Sequence, residues 1–225
     1  IQEFYDVIFN EEPISVDAAV LETVQKSFDF LKEFSKNKII YGVNTGFGPM
    51  AQYKIKDSET IQLQYNLIRS HASGTGNPIS PKYVKAAMLA RLNTLSLGNS
   101  GVNTSVIEVM TSLLNKNITP LIYEHGGVGA SGDLVQLAHL ALVLIGEGEV
   151  FYEGKRQPTS DVYKKVGISP IKIKLREGLG LINGTSVMTG IGVVNTIYSR
   201  RLLEWMIACS SAINEIVQAY DDHLS

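Results

Sequence analysis

The chain has 225 residues, 44% of them hydrophobic and 19% charged, with a formal net charge of −2. That length and balance suit a globular protein with a full core, and Lys and Arg scattered along a slightly acidic chain leave no basic footprint for nucleic acid. The longest apolar-rich run, Leu134 to Ile145, is interrupted by Gln136 and His139 and falls well short of a membrane-spanning helix, so no membrane partner is expected either.

The start, Ile1-Gln-Glu-Phe-Tyr-Asp, lacks the basic n-region of a secretory signal. One cysteine, Cys209, permits no internal disulfide, which fits a reducing compartment and points to the cytoplasm. Val16 to Ser35 carries Val20, Val24, Phe28 and Leu31 at helical spacing behind a cap at Ser15 or Asp17. Ile61 to Arg69 reads as a second helix. Ser80-Pro81 is a cap followed by proline at the first helical position, and Tyr83 to Leu97 then runs as a helix to Gly98. Thr104 to Asn115 and Asp133 to Ile145 are two more, and Ile118 to Tyr123 suits a short strand. Gly146 to Pro158 is a polar hairpin-like stretch containing a strand signal at Val150-Phe-Tyr152, and Ile171-Lys-Ile173 gives a weaker one. Ser186 to His223 reads as one long helix or two in series, with Gly190 and Gly192 as small-residue packing points.

The expected fold is therefore mainly α, with a loop-rich layer that holds the glycine-dense segments Tyr41 to Gly48, His71 to Gly76, Gly126 to Gly132 and Asn183-Gly184. No linker divides it. A start without methionine and a final helical run without a Gly or Pro stop read as a piece of a longer protein.

Within Gly126-Gly-Val-Gly-Ala-Ser-Gly-Asp-Leu134, the tripeptide Ala130-Ser131-Gly132 carries the most chemistry. Three small residues in a tight turn let the Gly132 amide nitrogen approach the Ala130 carbonyl carbon. If the backbone closed there and Ser131 also lost water, its Cβ would become an exocyclic methylene conjugated to the new ring. An ordinary serine would then be an electrophile, which the nucleophiles, acids and bases of ordinary side chains do not provide. Two blander readings stand beside it. Gly127, Gly129 and Gly132 spell the G-x-G-x-x-G dinucleotide fingerprint, although the polar stretch after the helix is not the buried strand that a βαβ unit needs. The other is a structural turn whose Asp133 caps the following helix.

Function concentrates on loops held by a rigid scaffold. Taken alone, Tyr41 reads as a partly buried packing residue, His71 as a helix-end histidine bonded to backbone carbonyls, and Asn183 as a turn former. The four histidines are widely dispersed, and neither a His-Glu-x-x-His motif nor a cysteine pair offers a metal site.

Together, Tyr41-Gly-Val-Asn-Thr-Gly-Phe-Gly48, Leu95-Ser-Leu-Gly-Asn-Ser-Gly101, the Ala130-Ser131-Gly132-Asp-Leu element and Ile182-Asn-Gly-Thr185 occur in the order and approximate spacing of the aromatic amino acid ammonia-lyases. The sequence resembles that family, on its histidine and tyrosine branch, over essentially the whole chain. The resemblance implies non-oxidative loss of ammonia from an aromatic L-amino acid. It implies a methylidene-imidazolone made autocatalytically from Ala130, Ser131 and Gly132, with no external cofactor.

It also makes Tyr41 the base for the β-proton, a role in which a phenolate needs positive charge or donated hydrogen bonds nearby. Asn183 falls beside the prosthetic group, Gly48 at a close backbone approach to substrate, and Ser70 and His71 at the position that reads the substrate ring. That polar pair argues against a phenylalanine lyase. By the same resemblance, residues 1–185 form the loop-rich catalytic part and residues 186–225 begin the central helical bundle of a homotetramer. The family chain is about twice this length, and its downstream Gln, Tyr, Arg, Phe and Glu site residues lie outside this sequence. An aromatic amino acid 2,3-aminomutase, a dinucleotide-binding module and a non-catalytic role in assembly are the competing readings.

Overall fold

The computed structural model describes residues 1–36, 38–56, 58–220 and 222, and it is mainly helical. Asp17 takes an extended backbone and its side chain accepts the Ala19 N–H at 2.8 Å, which starts helix α2 (Ala18–Phe34). Ahead of it lies α1 (Gln2–Phe9), a two-turn helix that sequence reasoning missed. Phe4 and Ile8 of α1, spaced one turn apart, pack on Ala86 and Val194.

Helix α3 (Thr60–His71) leads through the strand β1 (Thr75–Pro78) to α4 (Pro81–Ser96), which begins at its proline as expected. Ala86, Ala87, Met88 and Leu95 of α4 are all but fully buried. Helix α5 (Thr104–Asn115) packs on it, capped by the Asn103 side chain on Ser105 N–H. The short strands β2 (Thr119–Pro120) and β3 (Tyr123–His125) replace the single strand expected over 118–123.

Helix α6 (Leu134–Leu144) buries Leu137, Ala138, Leu140, Ala141, Val143 and Leu144. The hairpin follows as expected, with β4 (Glu149–Tyr152) and β5 (Lys155–Pro158) joined through Glu153 and Gly154. Both turn residues are left-handed, the backbone that a two-residue hairpin needs. Two short helices, α7 (Thr159–Val166) and α8 (Glu177–Ile182), precede α9 (Ser186–Ile216), one continuous helix of 31 residues. The expected end of that run at His223 lies outside the described residues.

Two expectations need correction. Ile171 and Ile173 are buried but form no strand, because their N–H groups bond to the end of α6 (Leu144 carbonyl, 2.9 Å) and to the Tyr65 hydroxyl (3.2 Å). Gly190 is a packing point, since a Cβ there would overlap the Ala87 backbone, but Gly192 meets nothing within 4 Å.

The named strands pair antiparallel, β1 with β3 and β4 between β2 and β5. No parallel βαβ unit surrounds the glycine-rich loop among the described residues, which removes the structural basis of the dinucleotide reading. Among those residues no helix is long and apolar enough to cross a membrane.

Candidate active site

The loop between β3 and α6 folds back on itself. Gly129 and Ala130 each form a backbone bridge with Gly132, and Ser131 between them is exposed. Gly132 sits at φ +81°, and a Cβ on it would overlap the carbonyl of Gly184, so only glycine fits there. The bridge between Ala130 and Gly132 joins the two residues whose carbonyl carbon and amide nitrogen a ring would link. The residues present therefore fit the prosthetic group expected of them.

Asp133 is a cap, but not of its own helix. Its carboxylate accepts the Val187 and Met188 N–H groups at 2.9 and 3.0 Å, the open first turn of α9, where a negative charge also meets the positive end of the helix dipole. Its own N–H donates to Gly184 O at 2.7 Å. On the other side of that peptide, the Arg91 guanidinium donates from Nη2 to the carbonyls of Gly180 and of Asn183, the latter at 2.9 Å. Asn183 closes α8, and its residue is exposed. Arg91 is 3% exposed, and burial pushes it down to about 10, partly offset by Asp133.

Tyr41 is half-exposed, packs edge-on against Phe47 with ring centroids 6.1 Å apart, and its hydroxyl oxygen accepts the Gly48 N–H at 3.3 Å. Gly48, expected to approach substrate, is thus also a donor to Tyr41. The segment is anchored by Gln64 of α3, whose side chain is fully buried. Its Nε2 donates to Gly42 O at 3.1 Å and its Oε1 accepts the Leu179 N–H of α8 at 3.2 Å. The Tyr41 segment is tied through Gln64 to α3 and α8, whereas the Ser131 loop is tied through Gly132 and Asp133 to Gly184 and the start of α9.

His71 ends α3 with Nδ1 2.9 Å from Leu67 O. A carbonyl only accepts, so Nδ1 carries the proton and Nε2 of the neutral ring is an acceptor. Ser70 Oγ donates to the same carbonyl at 3.1 Å and lies 3.2 Å from Nδ1. The helix-end reading of this histidine holds for one nitrogen and leaves the other for a ligand.

The turn after His71 is held by His139 of α6, which sequence reasoning used only to exclude a membrane helix. Its Nε2 accepts the Gly74 N–H at 3.1 Å, its ring meets Tyr123 edge-on at 5.3 Å, and burial lowers its pKa below the usual 6.5. Because the folded state resists protonation, the unfolded chain binds the extra proton first as pH falls. Stability contributed by a neutral His139 is then present above pH 6.5 and lost below it. Thermal melts between about pH 7.5 and 5 should show a Tm that falls more steeply in wild type than in His139→Gln. Equal slopes would remove His139 from the pH response.

Arg91, Gln64, His139 and the second role of Asp133 were all missed in the sequence. The available signal was polar residues inside apolar helical runs, Arg91 within Tyr83 to Leu97 and His139 within Leu134 to Ile145.

Comparison with known proteins gives these loops a context. The aromatic amino acid lyase family matches residues 1–225. The chain is 42% identical over 226 residues to a histidine ammonia-lyase of Geobacillus thermodenitrificans, covering 98% of this chain and 45% of that protein. Its fold superposes on histidine ammonia-lyase from Trypanosoma cruzi with a TM-score of 0.90 at 26% identity, over 100% of this chain and 43% of the other. Against the phenylalanine aminomutase of Pantoea agglomerans the TM-score is 0.86 at 34% identity, over 91% and 40% of the two chains. The chain thus spans a little under half the length of these relatives.

Proposed function

The chain belongs to the aromatic amino acid lyase family, and from that membership we propose that the full-length protein eliminates ammonia from L-histidine to give urocanate. The observation that carries the reading is the fold-back of Ala130-Ser131-Gly132 against Gly184, at a place where only glycine fits. Histidine is favoured over tyrosine by the histidine ammonia-lyases among the relatives.

An amine is a poor leaving group and a β-proton next to an aromatic ring is scarcely acidic, so the reaction needs both an electron sink and a base. The methylidene-imidazolone of residues 130–132 supplies the sink. Tyr41 takes the β-proton on its phenolic oxygen, to which the Gly48 N–H already donates. His71 Nε2 accepts the N–H of the substrate ring, Ser70 keeps the imidazole turned by sharing Leu67 O, and Gly48 lets the backbone approach the substrate. Asn183 is assigned beside the prosthetic group, a role supported by its exposure at the end of α8, next to the Gly184 that touches Gly132.

The second half of α9 exposes Leu202, Trp205, Met206 and Ile207, an apolar surface too large to be left in water. We assign residues 186–225 to the central bundle of a homotetramer and residues 1–185 to its catalytic part.

Full-length protein incubated side by side with histidine, tyrosine and phenylalanine should yield the unsaturated acid fastest from histidine. Absence of any unsaturated acid would sink the reading. The likeness to an aminomutase supports a second one, a 2,3-shift of the amine, and a β-amino acid product in the same assay would favour it.

Ring recognition makes a sharper test. His71→Phe leaves a substrate N–H facing an apolar wall, a loss of about 1–3 kcal/mol, or roughly five- to 150-fold in kcat/KM for histidine. Relative efficiency on phenylalanine should rise at the same time. Unmoved ratios would mean that His71 does not read the ring.

A further inference from the structure

We propose that Arg91 is a positioning residue for the maturation of the Ala130-Ser131-Gly132 loop, acting as the rigid back wall of a clamp whose jaw is Gly184. The inference rests on the reading of that tripeptide as the source of the prosthetic group.

Gly184 is pressed between two neighbours. A Cβ on Gly132 would overlap the Gly184 carbonyl on one side, and a Cβ on Gly184 would overlap Nη1 of Arg91 on the other. Three layers are therefore stacked without slack: the cyclising residue, the linker peptide and a guanidinium. The linker itself cannot yield along the chain. Its N-terminal end is held by Arg91, which bonds the terminal carbonyls of α8 at Gly180 and Asn183, and its C-terminal end by Asp133, which caps the first turn of α9. A cation at a helix C-terminus and a carboxylate at the next helix N-terminus both oppose movement of Asn183-Gly184-Thr185.

Arg91 is also an expensive way to fill space. No carboxylate bonds to it among the described residues, and its Nε is buried without a hydrogen-bond partner. A buried cation that no carboxylate bonds costs stability that a well-packed apolar side chain would not, an expense that the charge of Asp133 offsets only in part. What an apolar residue cannot supply is one terminal nitrogen that bonds two carbonyls while the other, held in the same rigid plane, stays fixed against Gly184.

Ring closure needs that firmness. The Gly132 nitrogen bonds to the Ala130 carbonyl carbon, and the carbonyl oxygen leaves as water with the amide protons of Gly132 and Ser131, which leaves a double bond between that carbon and the Ser131 nitrogen. Ser131 then loses its Cα proton and its hydroxyl as a second water, leaving the methylene. No oxidant or second reactant is consumed. An amide nitrogen is a weak nucleophile, so the step depends on holding nitrogen and carbon in contact. With Gly184 fixed from behind, Gly132 has no direction of retreat.

The test uses full-length protein and the variants Arg91→Lys and Arg91→Met, each followed by intact mass, near-ultraviolet ring absorbance, circular dichroism and sedimentation. Wild type should be lighter than its sequence by two waters. Lysine keeps the charge and one donor nitrogen without the rigid plane that carries the second against Gly184, and methionine keeps much of the volume without charge or donors. Most of the folded protein in both variants should retain the mass of both waters and lack the ring absorbance. A merely structural Arg91 would lower the melting temperature and leave the folded protein fully matured, which would overturn the proposal. Loss of folded protein in both variants would overturn it too, by making Arg91 a residue of the fold. Wild type at its full sequence mass would instead overturn the reading on which the proposal rests.

Discussion

Ser131→Ala is expected to give a folded protein that lacks the second loss of water and has almost no turnover. Ser131 is exposed between Ala130 and Gly132, so removing its hydroxyl leaves no buried group unsatisfied, and the melting temperature should scarcely move. The chemical consequence is far larger. Alanine has no β-hydroxyl to lose, so no methylene can form even if the backbone closes. Without that electron sink the amine has no assistance in leaving, and the Tyr41 base alone acts on a proton that is scarcely acidic. The loss should exceed the roughly 10²–10⁴-fold that a positioned general base contributes. Intact mass and initial rate on the same sample decide it. Turnover within tenfold of wild type, from a protein that lacks the second loss of water, would remove the methylene from the mechanism.

The contrast between Ser131 and Arg91 reflects what local sequence encodes. Helices α2, α4 and α5 were legible because each combines a cap or a helix-starting proline with apolar residues at helical spacing, and α6 because its run is almost wholly apolar. The hairpin was legible from a polar stretch around the strand signal at Val150-Phe-Tyr152. Helix α1 escaped because eight residues carry too little periodicity to stand out. Helix α8 escaped because Glu177-Gly-Leu-Gly-Leu-Ile182 has two glycines in six positions and low intrinsic propensity. Tertiary contacts hold it instead. Gln64 takes the Leu179 N–H, Arg91 takes the last carbonyls, and the buried Glu177 carboxylate accepts the Asn103 and Lys174 N–H groups at 2.7 and 2.6 Å. The Ile171 to Ile173 alternation failed for the converse reason: both side chains are buried, but the backbone meets helix ends and a hydroxyl rather than a strand.

The candidate site divides the same way. Tyr41, Ser70, His71, Ser131 and Asn183 could be picked out because each lies in or beside a glycine-dense loop. The residues that fix those loops, Gln64, Arg91 and His139, sit in helix interiors and act on segments remote in sequence. Nothing in a local window distinguishes such a residue from an ordinary polar interruption. Asp133 was read as a helix cap, and it is one, but the helix it caps begins more than fifty residues later. Chemistry was legible in the loops, whereas their rigidity was written across the fold.

Tyr41→Phe should keep the fold, keep the ring and lose the elimination. The substitution removes one hydroxyl from a half-exposed side chain whose edge-on contact with Phe47 uses only the ring. The partner left behind is the Gly48 N–H, on an exposed loop where water can replace the lost oxygen. A net cost of about 0.5–1.5 kcal/mol is the most that a single such bond accounts for. Maturation should be untouched, because the Tyr41 segment is anchored through Gln64 to α3 and α8, while the Ala130-Gly132 fold-back is braced by Gly184. Catalysis should fall by about 10²–10⁴-fold, since phenylalanine offers no atom to accept the β-proton in the transition state. The fall should appear mainly in kcat, because the lost interaction belongs to the transition state rather than to bound substrate. Three measurements on one preparation separate the alternatives. A packing tyrosine would show a small shift in melting temperature and near-normal turnover. A tyrosine needed for ring formation would show full sequence mass. A catalytic base shows a normal melt, a mass short by two waters and an enzyme that binds substrate without converting it.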